Sequence, residues 1–148
     1  MKKFLALLMS VLLVLTAIPA LAQETAEEAV TITVFHTNDV HSRYNTEAGM
    51  GYAMMASFVN AARADGNVLV MDAGDTLHGT VFANAVQGES IVSVMNAIGY
   101  DVMTPGNHDY NYGSDRLKEL EEMMEFPLVA ANMKLKDGKD AFKPYVIL

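Results

Sequence analysis

Short apolar runs alternate with polar, glycine-bearing stretches along this chain, and the spacing of the apolar positions changes from run to run. Positions 30–36, with Val30, Ile32 and Val34 set between threonines and then Phe35 and His36, predict a first strand. A polar loop over 37–49 follows, and 50–64 places Met54, Phe58 and Ala61 at helical spacing. Asp65, Gly66 and Asn67 predict a turn. The wholly apolar stretch 68–71 then suits a parallel strand buried on both faces. A glycine-punctuated loop over 72–80 leads to two short helical stretches ending near Ile98, where Gly99 supplies a stop. Positions 101–104 predict a third strand, and Pro105 and Gly106 turn the chain again. Ser114 is the expected N-cap, with Asp115 in the first turn, of a helix running to about Glu125 with Leu117, Leu120 and Met124 as its apolar stripe. Positions 127–132 predict a fourth strand, Asp137 and Gly138 a hairpin-type turn, and 145–148 the beginning of another strand. Repeated strand–loop–helix order predicts an α/β fold, a largely parallel sheet with flanking helices.

The first residues follow a different logic. Lys2 and Lys3 precede an apolar run over 4–18, then Pro19 and Ala20-Leu21-Ala22, the pattern of a secretory signal peptide over 1–22. The run falls short of the roughly 20 residues needed to cross a bilayer. Positions 23–29 read as a flexible acidic leader and 30–148 as the folded part. Export to the periplasm, cell envelope or extracellular space is expected, with no stable membrane insertion after cleavage. The chain has no cysteine, so packing or bound metal, not crosslinks, must stabilise it. Without Lys2 and Lys3, eight basic residues face eighteen acidic ones, a formal charge of −10. Such a surface repels nucleic acid and anionic membranes and argues against both as partners. The eleven methionines read as core filler.

Three polar clusters fall just after the first three expected strands: Asp39-Val40-His41, Gly74-Asp75 and Gly106-Asn107-His108-Asp109. Loops beyond the carboxyl ends of parallel strands share one crevice, so these clusters can converge. In extended chain Asp39 and His41 point to the same side and can offer an oxygen and a nitrogen to one cation. Asp75 can offer one oxygen to each of two ions, and Asn107 a neutral amide oxygen to the second. Carboxylate, imidazole and carboxamide together suit zinc, manganese, cobalt or iron better than calcium. Two such ions about 3.5–4 Å apart neutralise a phosphate ester and make water nucleophilic near neutral pH. His108, beside Asn107 on a tight turn, is then placed to stabilise charge or protonate the leaving oxygen. Each cluster alone is also what an ordinary loop cap or turn looks like; their ordered triple is the signal.

The stretches His36-Thr37-Asn38-Asp39-Val40-His41, 72–80 and Thr104-Pro105-Gly106-Asn107-His108-Asp109 resemble the three N-terminal motifs of the secreted bacterial 5'-nucleotidase branch of the calcineurin-like metallophosphoesterases. Positions 95–101 and 126–132 are also similar to that branch. The resemblance runs from about Val30 to the last residue and implies a four-layer αββα metallophosphatase sandwich, of which 30–148 would be the N-terminal part. It implies hydrolysis of nucleotides or related phosphoesters with two divalent ions. Asp39 and His41 would hold one ion, Asp75 would bridge, Asn107 would hold the other, and His108 would be catalytic. The family pairs that histidine with an aspartate three residues on; here the position is Asn111, which can orient an imidazole but brings no charge, and Asp109 is the candidate substitute. Further ligands and the base-recognising C-terminal domain are expected downstream in the family, and this chain has no histidine after His108, so it is expected to be inactive alone.

Of the other candidates, His36 reads as a packed or supporting histidine and His78 as a substrate-side loop residue. Asp72 reads equally as a loop-capping carboxylate or as support behind the ligands, and Asn38 as a turn-former. Arg43 is either a phosphate contact or a solvated surface residue, and Tyr110 and Tyr112 pack the third loop. The competing readings are a non-catalytic module that binds metal or phosphate, and a 2',3'-cyclic phosphodiesterase or nucleotide-sugar hydrolase of the same family.

Overall fold

A computed structural model describes residues 29–47 and 49–148. The expected signal peptide, 1–22, and all but the last residue of the leader, 23–29, lie outside the described residues. Strand β1 (Ile32–Thr37) leads through helix α1 (Tyr52–Asp65) to β2 (Asn67–Asp72). Helices α2 (Val81–Asn84) and α3 (Glu89–Ile98) lead to β3 (Val102–Met103), and a 3-10 turn (His108–Tyr110) precedes α4 (Ser114–Met123). The three strands form a parallel sheet in the order β1-β2-β3. Register runs from Ile32 opposite Asn67 to Thr37 opposite Asp72, and Asp72 in turn lies opposite Met103. The α/β expectation therefore holds, with a parallel sheet and flanking helices.

Strands in sequential order, joined by right-handed crossovers, place their connecting helices on one face of the sheet. Alternation along the strands shows which one. Val70 and Met103 are fully buried and join a core with Val59, Ile91, Val92, Met95, Leu117, Leu120 and Leu128. On the opposite face Ile32 and Val34 are 59% and 52% exposed.

Helix α1 forms where the periodicity indicated, but on a different face. Its buried residues are Tyr52, Met55 and Val59, three and four residues apart, whereas Met54 and Phe58 are exposed. The expected stripe is one of two apolar stripes available, and contact with the sheet selects the other. Gly99 ends α3 as expected, in the left-handed conformation, with its N–H on the Met95 carbonyl at 3.0 Å. The Arg63 guanidinium donates to the Ile98 and Gly99 carbonyls, complementing the negative end of α3. Ser114 is the first residue inside α4, not its cap; Gly113 holds that position, with no side-chain cap. The helix also ends at Met123, because Met124 is already extended.

The fourth expected strand is rudimentary. Leu128 makes an isolated parallel bridge to Met103, and Val129 another to Lys143. The turn at Asp137 and Gly138 forms, closed by an antiparallel bridge between Lys134 and Asp140, with Gly138 at a φ of 86°. Positions 145–148 are not a strand in this chain: Tyr145, Ile147 and Leu148 are 72%, 88% and 67% exposed, and no ladder partner among the described residues holds them. Of the methionines, Met55, Met95 and Met103 fill the core, while Met50, Met54 and Met123 are exposed.

Candidate metal centre

The loops after β1, β2 and β3 meet at the carboxyl end of the sheet. Backbone hydrogen bonds zip the first two together: Asp39 N–H to the Gly74 carbonyl at 2.9 Å, His41 N–H to that of Asp75 at 2.9 Å, and Ser42 N–H to that of Thr76 at 3.1 Å. Loops two and three touch backbone to backbone. A Cβ on Gly74 would lie 2.2 Å from the Gly106 nitrogen, and one on Gly106 would lie 2.2 Å from Asp75 Oδ1. Only glycine allows that approach at either position.

This packing forces unusual backbone. Asp39, His41, Ser42 and Asp75 have φ values of 52°, 48°, 54° and 58°, in the left-handed region. Each such residue costs roughly 1–2 kcal/mol and persists only where its surroundings hold it. The surroundings here are buried oxygens. Asp109 is 1% exposed and takes four backbone N–H groups: Asp75 and Gly106 on Oδ2, both at 2.8 Å, and Thr76 and Leu77 on Oδ1, at 3.0 and 2.9 Å. Asp75 Oδ1 in turn accepts the His108 N–H at 2.7 Å. Asp72 Oδ1 accepts the Gly74 N–H at 2.9 Å, and its Oδ2 accepts the Thr37 and Thr76 hydroxyls at 2.5 and 2.9 Å. Burial pushes the Asp72 carboxyl from its ordinary 3.8 up to about 6 against the opposing pull of those three donors, and Asp109 nearby adds to the rise. Burial likewise pushes the Tyr100 hydroxyl, hydrogen-bonded to Thr37, up to about 12. Ser42, fully buried, exchanges three hydrogen bonds with Thr80.

The side chains that converge are His41, Asp75 and His108. One ligand atom from each lies within 4.8 Å of the others. Donors on one zinc-like ion, bound at about 2.0–2.2 Å in a tetrahedral site, sit roughly 3.3–3.6 Å apart, so the three must draw closer to share a cation. The imidazoles of His41 and His108 meet edge to face, with centroids 5.0 Å apart. His78 stacks on His108 at 6.0 Å, and its Nδ1 is buried without a hydrogen-bond partner among the described residues. These three histidines, with Arg43, Gly79 and Thr80, line a cavity of about 270 Å³. Two imidazoles and a carboxylate gathered this closely are a donor set that fits a divalent transition ion.

Other expected residues fall around this trio. Asp39 stands outside it, exposed, with Oδ2 taken by the Asn38 amide at 2.6 Å. Asn107 is exposed at the head of the third loop. The Nδ1 of His108 meets the Asn111 amide nitrogen at 3.0 Å. Asp109, the candidate substitute beside that ring, instead has both oxygens committed to backbone amides. His36 is exposed at the end of β1. Tyr112 packs on His78 at 5.5 Å and donates to Asn84 Oδ1 at 2.6 Å, while the Tyr110 hydroxyl reaches the Met133 sulfur. The bracing roles of Ser42, Thr76 and Thr80 carry no signal in sequence, because a buried hydroxyl in a loop is spelled like an exposed one.

Comparison with known proteins fits this geometry. The model of the calcineurin-like phosphoesterase family matches residues 32–146. Bovine 5'-nucleotidase is 35% identical over 136 aligned positions, 79% of this chain and 24% of that protein. The crystal structure of the calcineurin-like phosphoesterase YfkN from Bacillus subtilis superposes with a TM-score of 0.72 at 32% identity, over 82% of this chain and 42% of that one. The 5'-nucleotidase precursor from Thermus thermophilus superposes with a TM-score of 0.67 at 28% identity, over 79% and 26% of the two chains. The chain thus spans less than half the length of each. Among the described residues, no helix is long and apolar enough to cross a membrane. With a matching family model over most of its length and the three loops assembled at the end of a parallel sheet, the chain belongs to the calcineurin-like phosphoesterases.

Proposed function

We propose that residues 30–148 are the N-terminal part of the catalytic domain of a metal-dependent phosphoester hydrolase that acts on nucleotides outside the cytoplasm. The observation that carries this reading is the meeting of His41, Asp75 and His108, donors from three separate strand-end loops, within 4.8 Å. The names of the relatives support a nucleotide monoester as substrate, and Lys2, Lys3 and the apolar run before Ala22 support export. Asp39 and His41 would hold one ion, Asp75 would bridge, and Asn107 would hold a second. Bound ions would supply charge neutralisation for the phosphate and a water made nucleophilic near neutral pH.

The chain's own residues do the rest. Arg43 lines the cavity beside the histidines and offers a guanidinium to phosphate oxygens. With the Asn111 amide nitrogen donating to Nδ1, His108 carries its proton on Nε2, from which it can donate a hydrogen bond to a phosphate oxygen or to the leaving oxygen as charge develops there. Asn111 is amphoteric, however. Turned over, its oxygen would take Nδ1–H and leave the Nε2 lone pair free to bind an ion. The same histidine can therefore serve as donor or as ligand. The protein donors in this chain are few for two ions, so the chain alone is expected to turn over AMP at close to background.

The test is metal analysis of the purified chain after dialysis against zinc or manganese, together with AMP hydrolysis by the full product of its coding region. Bound transition ion near one equivalent or more, and phosphate release that stops on chelation, are expected. Absence of any retained ion would sink the proposal.

A further inference from the structure

We infer that Asp109 is a positioning residue that sets the geometry of the metal loops before any ion arrives. The inference rests on reading this site as a metal centre, and it concerns what holds the centre together.

Two carboxylates from different loops brace each other. Asp109, from the third loop, gathers the N–H groups of Asp75, Thr76 and Leu77 from the second, and that of Gly106 from its own. Asp75, from the second loop, takes the His108 N–H of the third. Three successive amides aimed at one point form an anion-binding nest, of the kind that elsewhere cradles phosphate. Here the nest is filled by the protein's own carboxylate, 1% exposed. That contact holds Asp75 in the left-handed conformation, at a φ of 58°, and fixes the direction in which its side chain leaves the loop. The hydrogen bond to His108 engages Oδ1, and Oδ2 is the oxygen with no hydrogen-bond partner among the described residues.

The brace lies on the buried side of the loops, whereas Asp75 and His108 are only half-buried. A metal ion, binding from the open side, would meet ligands already held by hydrogen bonds that do not involve it. Ordering cost is then met at folding and not at binding, which raises affinity. The glycines at 74 and 106 belong to the same device, since any side chain there would push the two loops apart and open the nest.

Amide hydrogen exchange by NMR on the full 148-residue chain, without metal and then with zinc, tests this directly. In the metal-free chain the amides of Asp75, Thr76, Leu77 and Gly106 should exchange at least about a hundredfold more slowly than exposed amides, and zinc should change this by less than about tenfold. Asp109→Asn should cost those four amides more than about tenfold in protection, leave Val68 and Val70 in β2 within about threefold, and weaken zinc binding by about 10–100-fold. Free exchange of the four amides until zinc is added would overturn the inference, because the ion would then set the loops. Equal loss of protection across β2 in Asp109→Asn would also overturn it, reducing Asp109 to a general fold determinant. Should the variant fail to fold, the metal-free measurement on the native chain still decides. Should the chain bind no zinc, the metal-centre reading fails, while the four amides still report on the brace.

Discussion

Two regions of this chain lie largely outside helix and strand, and they are held in opposite ways. The loops after the three strands contain Ser42, Thr76 and Asp109, all at 1% exposure or less, and their backbone N–H groups find carbonyl and carboxylate acceptors on neighbouring loops. The segment after α4 is held by the burial of Phe126, Leu128, Ala130 and Phe142 and by isolated bridges at Leu128, Val129 and Lys134, while Tyr145, Ile147 and Leu148 beyond them are exposed. Apolar content does not separate the two, since Tyr145, Val146, Ile147 and Leu148 are more apolar than any of the loops. The difference lies in short polar side chains buried within reach of backbone amides. Irregular backbone becomes well determined when carboxylates and hydroxyls take the place of a ladder.

The largest effect expected from breaking the first region is at Asp75. Asp75→Asn keeps an acceptor for the His108 N–H but removes the negative charge that would attract a cation. Zinc affinity should fall by roughly a thousandfold or more, since the ligand itself is lost and not merely one of its supports. His78→Gln, outside the trio, should cost less than about tenfold. Isothermal titration with zinc measures both, and equal losses would remove Asp75 from its central place.

The helices, the parallel order of strands and the three loops that meet at the end of the sheet were legible in the sequence. The strand–loop–helix rhythm marked the crevice, whereas the close approach that demands glycine at 74 and 106 showed only in the fold. Which face of α1 is buried was not legible, because Met54 and Phe58 look as good as Met55 and Val59 until the sheet is placed. Nor was the work of Asp109. Beside a histidine it reads as a partner for the ring, and only the fold reveals that the amides of residues thirty-odd positions earlier have reached it first. The last strand fails for a related reason: β-branched and apolar residues propose a strand, but a neighbouring strand must accept it.

A smaller effect, and one that depends on pH, belongs to Asp72. Its folded pKa of about 6 lies above its ordinary 3.8, so the folded state binds this proton more tightly than the unfolded one. Stability from this group is therefore complete below about pH 4 and is lost as pH rises through about 6, by up to about 3 kcal/mol at 1.36 kcal/mol per unit. Urea denaturation of the metal-free chain between pH 4 and 7 should show this decline, and Asp72→Asn should flatten it. Bound zinc should shrink the slope too, because a nearby cation favours the carboxylate. A native chain whose stability does not fall over this range would show that Thr37, Thr76 and Gly74 offset the burial completely.

Gly106→Ala probes the contact between loops without touching a donor. Its Cβ would sit 2.2 Å from Asp75 Oδ1 and 2.7 Å from the Asp75 nitrogen, so the second loop must move. A cost of about 2 kcal/mol is expected, at the middle of the range for overpacking. Thermal or urea unfolding reads it, and a neutral result would mean that the two loops slide past each other freely.

The smallest effect should come from the other region. Ile147 is 88% exposed, and Ile147→Ser removes a side chain that buries almost nothing. Stability should change by less than about 0.5 kcal/mol, as for surface positions without special contacts. The comparison is sharpened by pairing it with Thr76→Val, which keeps size in the loop region but deletes the hydroxyl that donates to Asp72 Oδ2 at 2.9 Å. That loss should cost about 1 kcal/mol, the net worth of one buried hydrogen bond, plus any penalty for the oxygen left with one donor fewer. If Ile147→Ser proved the more damaging of the two, residues 145–148 would have to be packed against something in solution, and the contrast between a polar-braced loop region and a loosely held segment would fail at its second term.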